Sequence, residues 1–267
     1  MNEKFSALKK YLAELKNMAV AFSGGVDSTF LLKAAHDLLG EKVIAVTAAS
    51  KALPARELEE TKNFCHAEKI HQIIFNSDEI IGEIFLKNPK DRCYFCKRAI
   101  FEKILSIAAE NNIACVVEGS NMDDTGDYRP GMRAIAELEI KSPLRQVGLR
   151  KSEIRALSKE LHLSTWDKPS YACLASRFVY GESITPEKLK RVDKAEQFLI
   201  DTGFKQVRVR IHGNIARIEI LPDDFNKFLE KNFRDKVSAE FKSYGFDFVT
   251  LDLQGYRVGS MNLGLRK

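Results

Sequence analysis

The sequence predicts an α/β fold built on a doubly wound, mostly parallel sheet, followed by a smaller α+β C-terminal domain. Three observations carry the expectation. Short apolar runs of the kind buried parallel strands give, "NMAVAF" (17–22), "KVIAVTA" (42–48), "HQIIF" (71–75) and "ACVVEGS" (114–120), alternate with helical stretches. Such alternation implies right-handed crossovers and a sheet covered on both faces. Beyond these the pattern changes: "QVRVRI" and "IARIEI" alternate strictly and are joined by "HGN", a hairpin signal. The boundary is therefore placed near residue 180, giving domains 1–180 and 181–267.

The elements follow in order. "MNEKFSALKKYLAEL" has the spacing of an amphipathic helix. "SGGVDS" breaks the first strand, and "TFLLKAAHDLLG" continues as a helix that Gly40 can stop. "PARELEETKNFCHAEK" (54–69) reads as a helix opened by Pro54, and a long helix spans about 91–111. Residues 121–184 are irregular apart from one helix, "KSEIRALSKELHL" (151–163). "TPEKLKRVDKAEQFLIDTG" (185–203) is a helix stopped by Gly203, and a further helix and the strand "DFVTLDL" (247–253) close the pattern.

The 267 residues, 45% hydrophobic and 30% charged, have the composition of a globular protein with a sizeable core. No apolar run approaches a membrane span, and the N-terminal stretch lacks the uninterrupted apolar segment of a signal peptide, so a cytoplasmic location without membrane attachment is expected. Five widely spread cysteines are not a secreted disulfide framework; in the cytosol they act as thiols, ligands or catalysts. A formal net charge of +5 suits a phosphorylated small molecule and does not demand nucleic acid.

Ligands of open parallel sheets bind at the carboxyl ends of strands, where both "FSGG" and "VEGSN" fall. In "SGGVDS" (23–28), Gly24 and Gly25 allow close backbone approach to an anion, and the following helix offers unpaired N–H groups. Ser23 and Ser28 add hydroxyls, and Asp27 can hold a divalent cation against a polyphosphate. The plainer reading is a tight turn with Asp27 or Ser28 as helix cap. The loop is neither a Walker P-loop nor a Rossmann fingerprint. It resembles the pyrophosphatase loop of the N-type ATP pyrophosphatases, with their adenine-nucleotide alpha-hydrolase-like fold. That resemblance implies ATP and Mg²⁺ at Ser23, Gly24, Gly25, Asp27, Ser28 and Gly119, attack on the α-phosphorus, and departure of pyrophosphate.

The pair Cys93 and Cys96 in "DRCYFCKRA" is open on spacing alone: a redox pair, half of a zinc site, or part of a sulfur-moving centre. In the hairpin, Val207, Val209 and Ile211 point one way and Arg208 and Arg210 the other, with Arg217 and Glu219 on the polar face of the partner strand. A solvated face with cross-strand ion pairs and a phosphate-binding face both fit. Trp166 is equally suited to packing or to stacking on an aromatic ligand ring, whereas Cys65 and Cys115 read as core.

Four stretches, "NPKDRCYFCK" (88–97), "GSNMDDTGDYRPG" (119–131), "WDKPSYACLASRF" (166–178) and "VRVRIHGNIARIEI" (207–220), together resemble the LarE family over nearly the whole chain. These are ATP-dependent sulfur transferases of nickel-pincer cofactor biosynthesis. The resemblance implies adenylation of a carboxylate of pyridinium-3,5-biscarboxylate mononucleotide and replacement of its oxygen by sulfur. It implies Cys173 as the catalytic cysteine, and, because Cys93 and Cys96 are also present, a three-cysteine subgroup in which Cys93, Cys96 and Cys173 hold a [4Fe-4S] cluster. Ligand count favours a cluster over zinc, which wants a fourth ligand. Arg208, Arg210 and Glu219, with Ser176, Arg177 and Arg129, are the implied substrate contacts, and a homo-oligomer is the implied assembly. The other reading of the same loop is a tRNA-thiolating enzyme, against which stand the mild charge and the lack of further zinc-type cysteines. The resemblance leaves two sulfur sources open, Cys173 itself or sulfide carried by the cluster, and names no sulfide donor.

Overall fold

The computed structural model of the protein describes residues 3–125, 130–169 and 172–261. The chain divides into two compact units, Met1–Phe85 with Asp91–Tyr171, and Leu86–Lys90 with Ala172–Lys267.

The first unit contains α1 (Glu3–Leu15), β1 (Met18–Ala21), α2 (Val26–Leu39), β2 (Val43–Ala49), α3 (Ala55–Ala67), β3 (Gln72–Asn76), α4 (Asp78–Leu86, whose last residue already counts with the other unit), α5 (Arg92–Glu110), β4 (Val116–Val117), α6 (Gly131–Glu137), α7 (Pro143–Gln146) and α8 (Lys151–Glu160). Its four strands pair in the order β3-β2-β1-β4, all parallel, as the alternation of strands and helices requires. The period of two sends neighbouring residues to opposite sides. Met18, Val20, Val43 and Ala45 join one core with Leu8, Leu12, Phe30 and Ile154, while Ala19, Ile44 and Val46 join another with Phe101, Ile104 and Ile107. The sheet is thus doubly wound. The strand order reverses at β1, with β2 on one side and β4 on the other, and open α/β sheets bind ligands at the carboxyl ends of strands where the order reverses.

The differences from expectation are local. The apolar run 114–120 contributes only a two-residue strand; beyond it the Glu118 N–H donates to Lys141 O (2.9 Å) and its carboxylate accepts from the Ser120 and Ser142 hydroxyls. The stretch expected to be irregular holds two short helices, α6 and α7, too brief to show a helical period. Helix α4 carries non-helical backbone at Gly82 (φ 69°), where a side chain would be strained.

The second unit contains α9 (Pro186–Asp201), β5 (Val207–His212), β6 (Ile215–Ile220), α10 (Phe225–Leu229), α11 (Lys231–Ser243) and β7 (Phe248–Leu251). β5 and β6 are antiparallel, with His212 opposite Ile215, so the turn is the two-residue Gly213–Asn214 rather than three residues. β7 runs parallel to β6, making the sheet mixed. Phe204, Phe228 and Phe233 pack as a ring cluster with centroids 5.3–5.9 Å apart. The peptide 86–90 belongs to this unit through Asn88. Its side-chain amide donates to Val179 O (2.7 Å) and Glu182 O (3.1 Å), while its carbonyl accepts from Gly181 N (2.8 Å). Among the described residues no helix is long and apolar enough to cross a membrane.

Candidate functional site

In the first unit the loop after β1 is shaped by its carbonyls. Gly24 has φ +72°, and a Cβ there would sit 2.9 Å from Thr61 Cγ2. Its carbonyl accepts from Lys168 Nζ at 3.1 Å. The Gly25 carbonyl accepts from Ser28 Oγ (3.2 Å) and Thr29 N (2.9 Å), which starts α2. Ser23 and Ser28 meet hydroxyl to hydroxyl at 3.1 Å. Asp27, in the first turn of α2, is held on both oxygens: Asn121 Nδ2 donates to one (3.3 Å) and Lys151 Nζ to the other (2.5 Å). Gly119, after β4, lies so close to this turn that a Cβ would come within 3.0 Å of Ser28 N. All six residues expected at a nucleotide therefore gather at the reversal point of the sheet.

Sequence reasoning missed the partners of this loop. Lys151 opens α8, whose start is capped by Asp123 accepting from Lys151 N (2.8 Å) and from the Arg150 guanidinium (3.1 Å). Arg155, one turn further, donates to the carbonyls of Trp166 and Lys168, both at 2.7 Å. The Lys168 ammonium then meets Gly24 O, Glu57 Oε2 (2.7 Å) and Glu60 Oε2. Burial pushes the Glu57 carboxyl above the ordinary carboxylate range, against the pull of Lys168. Lysines 124 and 144 residues from their loop partners leave no local mark in a sequence; Lys168 lies within "WDKPS", and that was the available signal.

The five cysteines separate by environment. Cys65 is buried and its thiol is pushed up to about 12 by desolvation; the half-buried Cys115 is also pushed up by burial, and its Sγ donates to Asn17 O (3.3 Å). Neither is suited to ligate as a thiolate. Cys93 is exposed and Cys96 half-buried on the first turns of α5. Three residues apart on a helix, they share a face near its N-terminus. Two accessible neighbouring thiols fit the ligation of a metal cluster. Gly131 lies against this turn, its Cβ position 3.3 Å from Cys93 O. Among the described residues, no group of three or more His, Cys, Asp or Glu side chains is gathered as a metal site.

In the second unit Cys173 is exposed and precedes the 3-10 turn Leu174–Arg177. Arg177 is fully buried and pairs bidentately with Glu196, Nε and Nη2 both at 2.8 Å. Its Nη1 donates to Ala172 O (2.7 Å), Cys173 O (3.3 Å) and Ser176 Oγ (2.8 Å), so one guanidinium shapes the backbone around the cysteine. Arg210 donates to Glu219 Oε2 (2.8 Å), Ser176 O (3.1 Å) and Ser260 Oγ (3.1 Å). Glu219 also accepts from Arg217 (3.0 Å) and Ser260 Oγ (2.8 Å).

Of the two readings of the hairpin, the solvated polar face is overturned. Arg208, Arg210 and Glu219 are buried along with the valines, because α9 and the turn Leu174–Arg177 pack on β5. Burial and the neighbouring Arg177 guanidinium bring Arg208 down to about 10. Burial pushes the Glu196 carboxyl up, but Arg177 and then Arg208 pull it below the ordinary range. Arg177, Arg208, Arg210 and Glu219 are thus buried in this unit together with Glu196, and Ser176 is half-buried beside them, while Arg129 lies outside the described residues.

No family model matches the chain. It is 40% identical to an uncharacterized protein of Synechocystis sp. over the full length of both chains. It is 38% identical to the pyridinium-3,5-bisthiocarboxylic acid mononucleotide synthase of Lactiplantibacillus plantarum, covering 99% of this chain and 95% of that one. An uncharacterized protein of Methanocaldococcus jannaschii is 33% identical over 96% of this chain and 98% of its own. With the pyrophosphatase-type loop at the sheet's reversal point and this identity along the whole chain, the protein belongs to the LarE family, that of the Lactiplantibacillus synthase.

Proposed function

We propose that the protein is an ATP-dependent sulfur transferase of nickel-pincer cofactor biosynthesis, acting on pyridinium-3,5-biscarboxylate mononucleotide. The observation that carries this reading is the loop Ser23–Ser28, with its carbonyls turned onto Lys168 and α2 and with Asp27 and Gly119 beside it. Amides at such a loop and helix start bind a polyphosphate, and Asp27 would hold the Mg²⁺ that draws charge off it. A substrate carboxylate oxygen attacks the α-phosphorus, the bond to the β-phosphate oxygen breaks, and pyrophosphate leaves. The sulfur nucleophile then attacks the acyl carbon, and AMP departs with the former carboxylate oxygen.

Arg208 and Arg210 would bring positive charge to the mononucleotide phosphate, while Arg177, engaged by Glu196, shapes the backbone around Cys173. Cys93, Cys96 and Cys173 would hold a [4Fe-4S] cluster, which supplies an iron open to exogenous sulfide. The protein works in the cytoplasm as a homo-oligomer.

Pyrophosphate release tests the reading, with the pyridinium mononucleotide and with tRNA as alternative acceptors. Release with the mononucleotide is expected. Release with tRNA alone would reassign the enzyme as a tRNA thiolase, and release with neither would remove the adenylating role. Intact mass after turnover separates the two sulfur routes, since a sacrificial Cys173 loses about 34 Da with its sulfur.

A further inference from the structure

We infer that Lys168 is a positioning residue that locks the Gly24–Gly25 peptide with its N–H turned toward the polyphosphate. The inference rests on the reading of this loop as an ATP site and adds how the loop is held. The described peptide bonds are all trans, and in a trans peptide C=O and N–H point in opposite directions. Lys168 draws the Gly24 carbonyl to one side (3.1 Å), so the Gly25 N–H faces the other. The Gly25 carbonyl is drawn onto α2 by Thr29 N and Ser28 Oγ, which turns the Val26 N–H outward by the same rule. The second peptide is held by the helix itself. The first has no helix to hold it, and glycine on both sides leaves it free to rotate. Rotation would aim a carbonyl oxygen at the phosphate in place of an N–H.

Lys168 suits this task and no direct contact. An ammonium has three donors, and here three oxygens receive them: Gly24 O, Glu57 Oε2 (2.7 Å) and Glu60 Oε2. None is left for a phosphate. The two carboxylates fix the ammonium from the α3 side, and Arg155 fixes the Lys168 backbone by its carbonyl at 2.7 Å. The lysine is held at both ends, and the loop carbonyl is what it holds in turn.

Isothermal titration with Mg-pyrophosphate and, separately, adenosine tests this on wild type, Lys168→Met and Lys168→Arg. Lys168→Met should weaken Mg-pyrophosphate at least tenfold while adenosine changes less than twofold. Lys168→Arg, which can still donate to the carbonyl and both carboxylates, should recover to within about threefold of wild type. Unchanged Mg-pyrophosphate binding in Lys168→Met would overturn the inference, as would equal losses of both ligands or no recovery with arginine. Wild type that bound no Mg-pyrophosphate would instead remove the ATP-site reading, and the inference with it. Should Lys168→Met fail to fold, Glu60→Ala, at the exposed end of the lever, decides: a two- to fourfold loss confined to Mg-pyrophosphate supports the inference, and no loss overturns it.

Discussion

Replacing Arg208 by methionine should make the isolated protein more stable and the enzyme worse. Burial and the adjacent Arg177 bring the Arg208 guanidinium from its ordinary value above 12 to about 10. At 1.36 kcal/mol for each pKa unit, keeping it charged costs the fold roughly 3 kcal/mol. Methionine removes that cost and fills similar space. Among the contacts it gives up are the bond from Nη1 to Val207 O (2.7 Å), worth about 1 kcal/mol, and the position over the Tyr256 ring, worth about 0.5–1 kcal/mol. The net gain is about 1–2 kcal/mol at pH 7. For a domain of about a hundred residues each kcal/mol moves the midpoint by roughly 4–8 °C, which calorimetry of the second unit's transition resolves. The pH dependence has a fixed sign. A base whose folded pKa is depressed carries its full penalty below about 10 and sheds it as pH rises above that value, so the variant's advantage should shrink in alkali. In the same variant the KM for the pyridinium mononucleotide should rise by a factor corresponding to about 1.5–3 kcal/mol, the range of a charge-assisted hydrogen bond. A variant less stable than wild type at pH 7 would refute the reasoning, since it would mean the guanidinium sits in a field that welcomes it.

The neighbouring carboxylate should behave oppositely. Glu196→Gln leaves Arg177 buried without its counter-charge and should cost about 3–5 kcal/mol, read by denaturant unfolding. Because Arg177 holds the Glu196 carboxyl below its ordinary range, this contribution is complete above that range and lost as pH falls through the depressed value, so wild type and variant should converge in acid. Gly119→Ala, which forces a methyl to within 3.0 Å of Ser28 N, should cost about 1–3 kcal/mol by overpacking and weaken ATP binding; normal binding would show that the segment after β4 and the start of α2 yield easily. In iron-free protein at pH 8, iodoacetamide should reach Cys93 and Cys173 first and Cys65 only after denaturation, since a thiol near 12 is about one part in ten thousand thiolate; peptide mapping reads the order.

The features legible in the sequence were those written in periodicity. Parallel strands buried on both faces announced themselves as apolar runs, and the loop "SGGVDS" stood out because glycines interrupt a strand just where a helix begins. Helices α6 and α7 escaped because seven and four residues cannot display a period of 3.6. The hairpin misled for a different reason. Alternation normally reports one wet face, yet here the arginine face of β5 is buried too, and Arg210 and Glu219 neutralise each other in place of water. The lysines at the loop left at most the motif "WDKPS" as a signal, since a contact 144 residues distant is a property of the fold.

The clamp at Asn88 has a consequence for how the chain is made. A peptide that completes the second unit, 86–90, leaves the ribosome about ninety residues ahead of the segment 179–184 that it bonds. With its polar partners still unsynthesised, Asn88 can only stay hydrated, and the loop it closes late carries the entropy of a long contact. The second unit is therefore not a self-sufficient C-terminal piece. Expressed from residue 172 onward, it would leave the carbonyls of Val179 and Glu182 without the amide that buries them, and a fragment with residues 86–90 supplied as a separate peptide should fold where the truncated one does not.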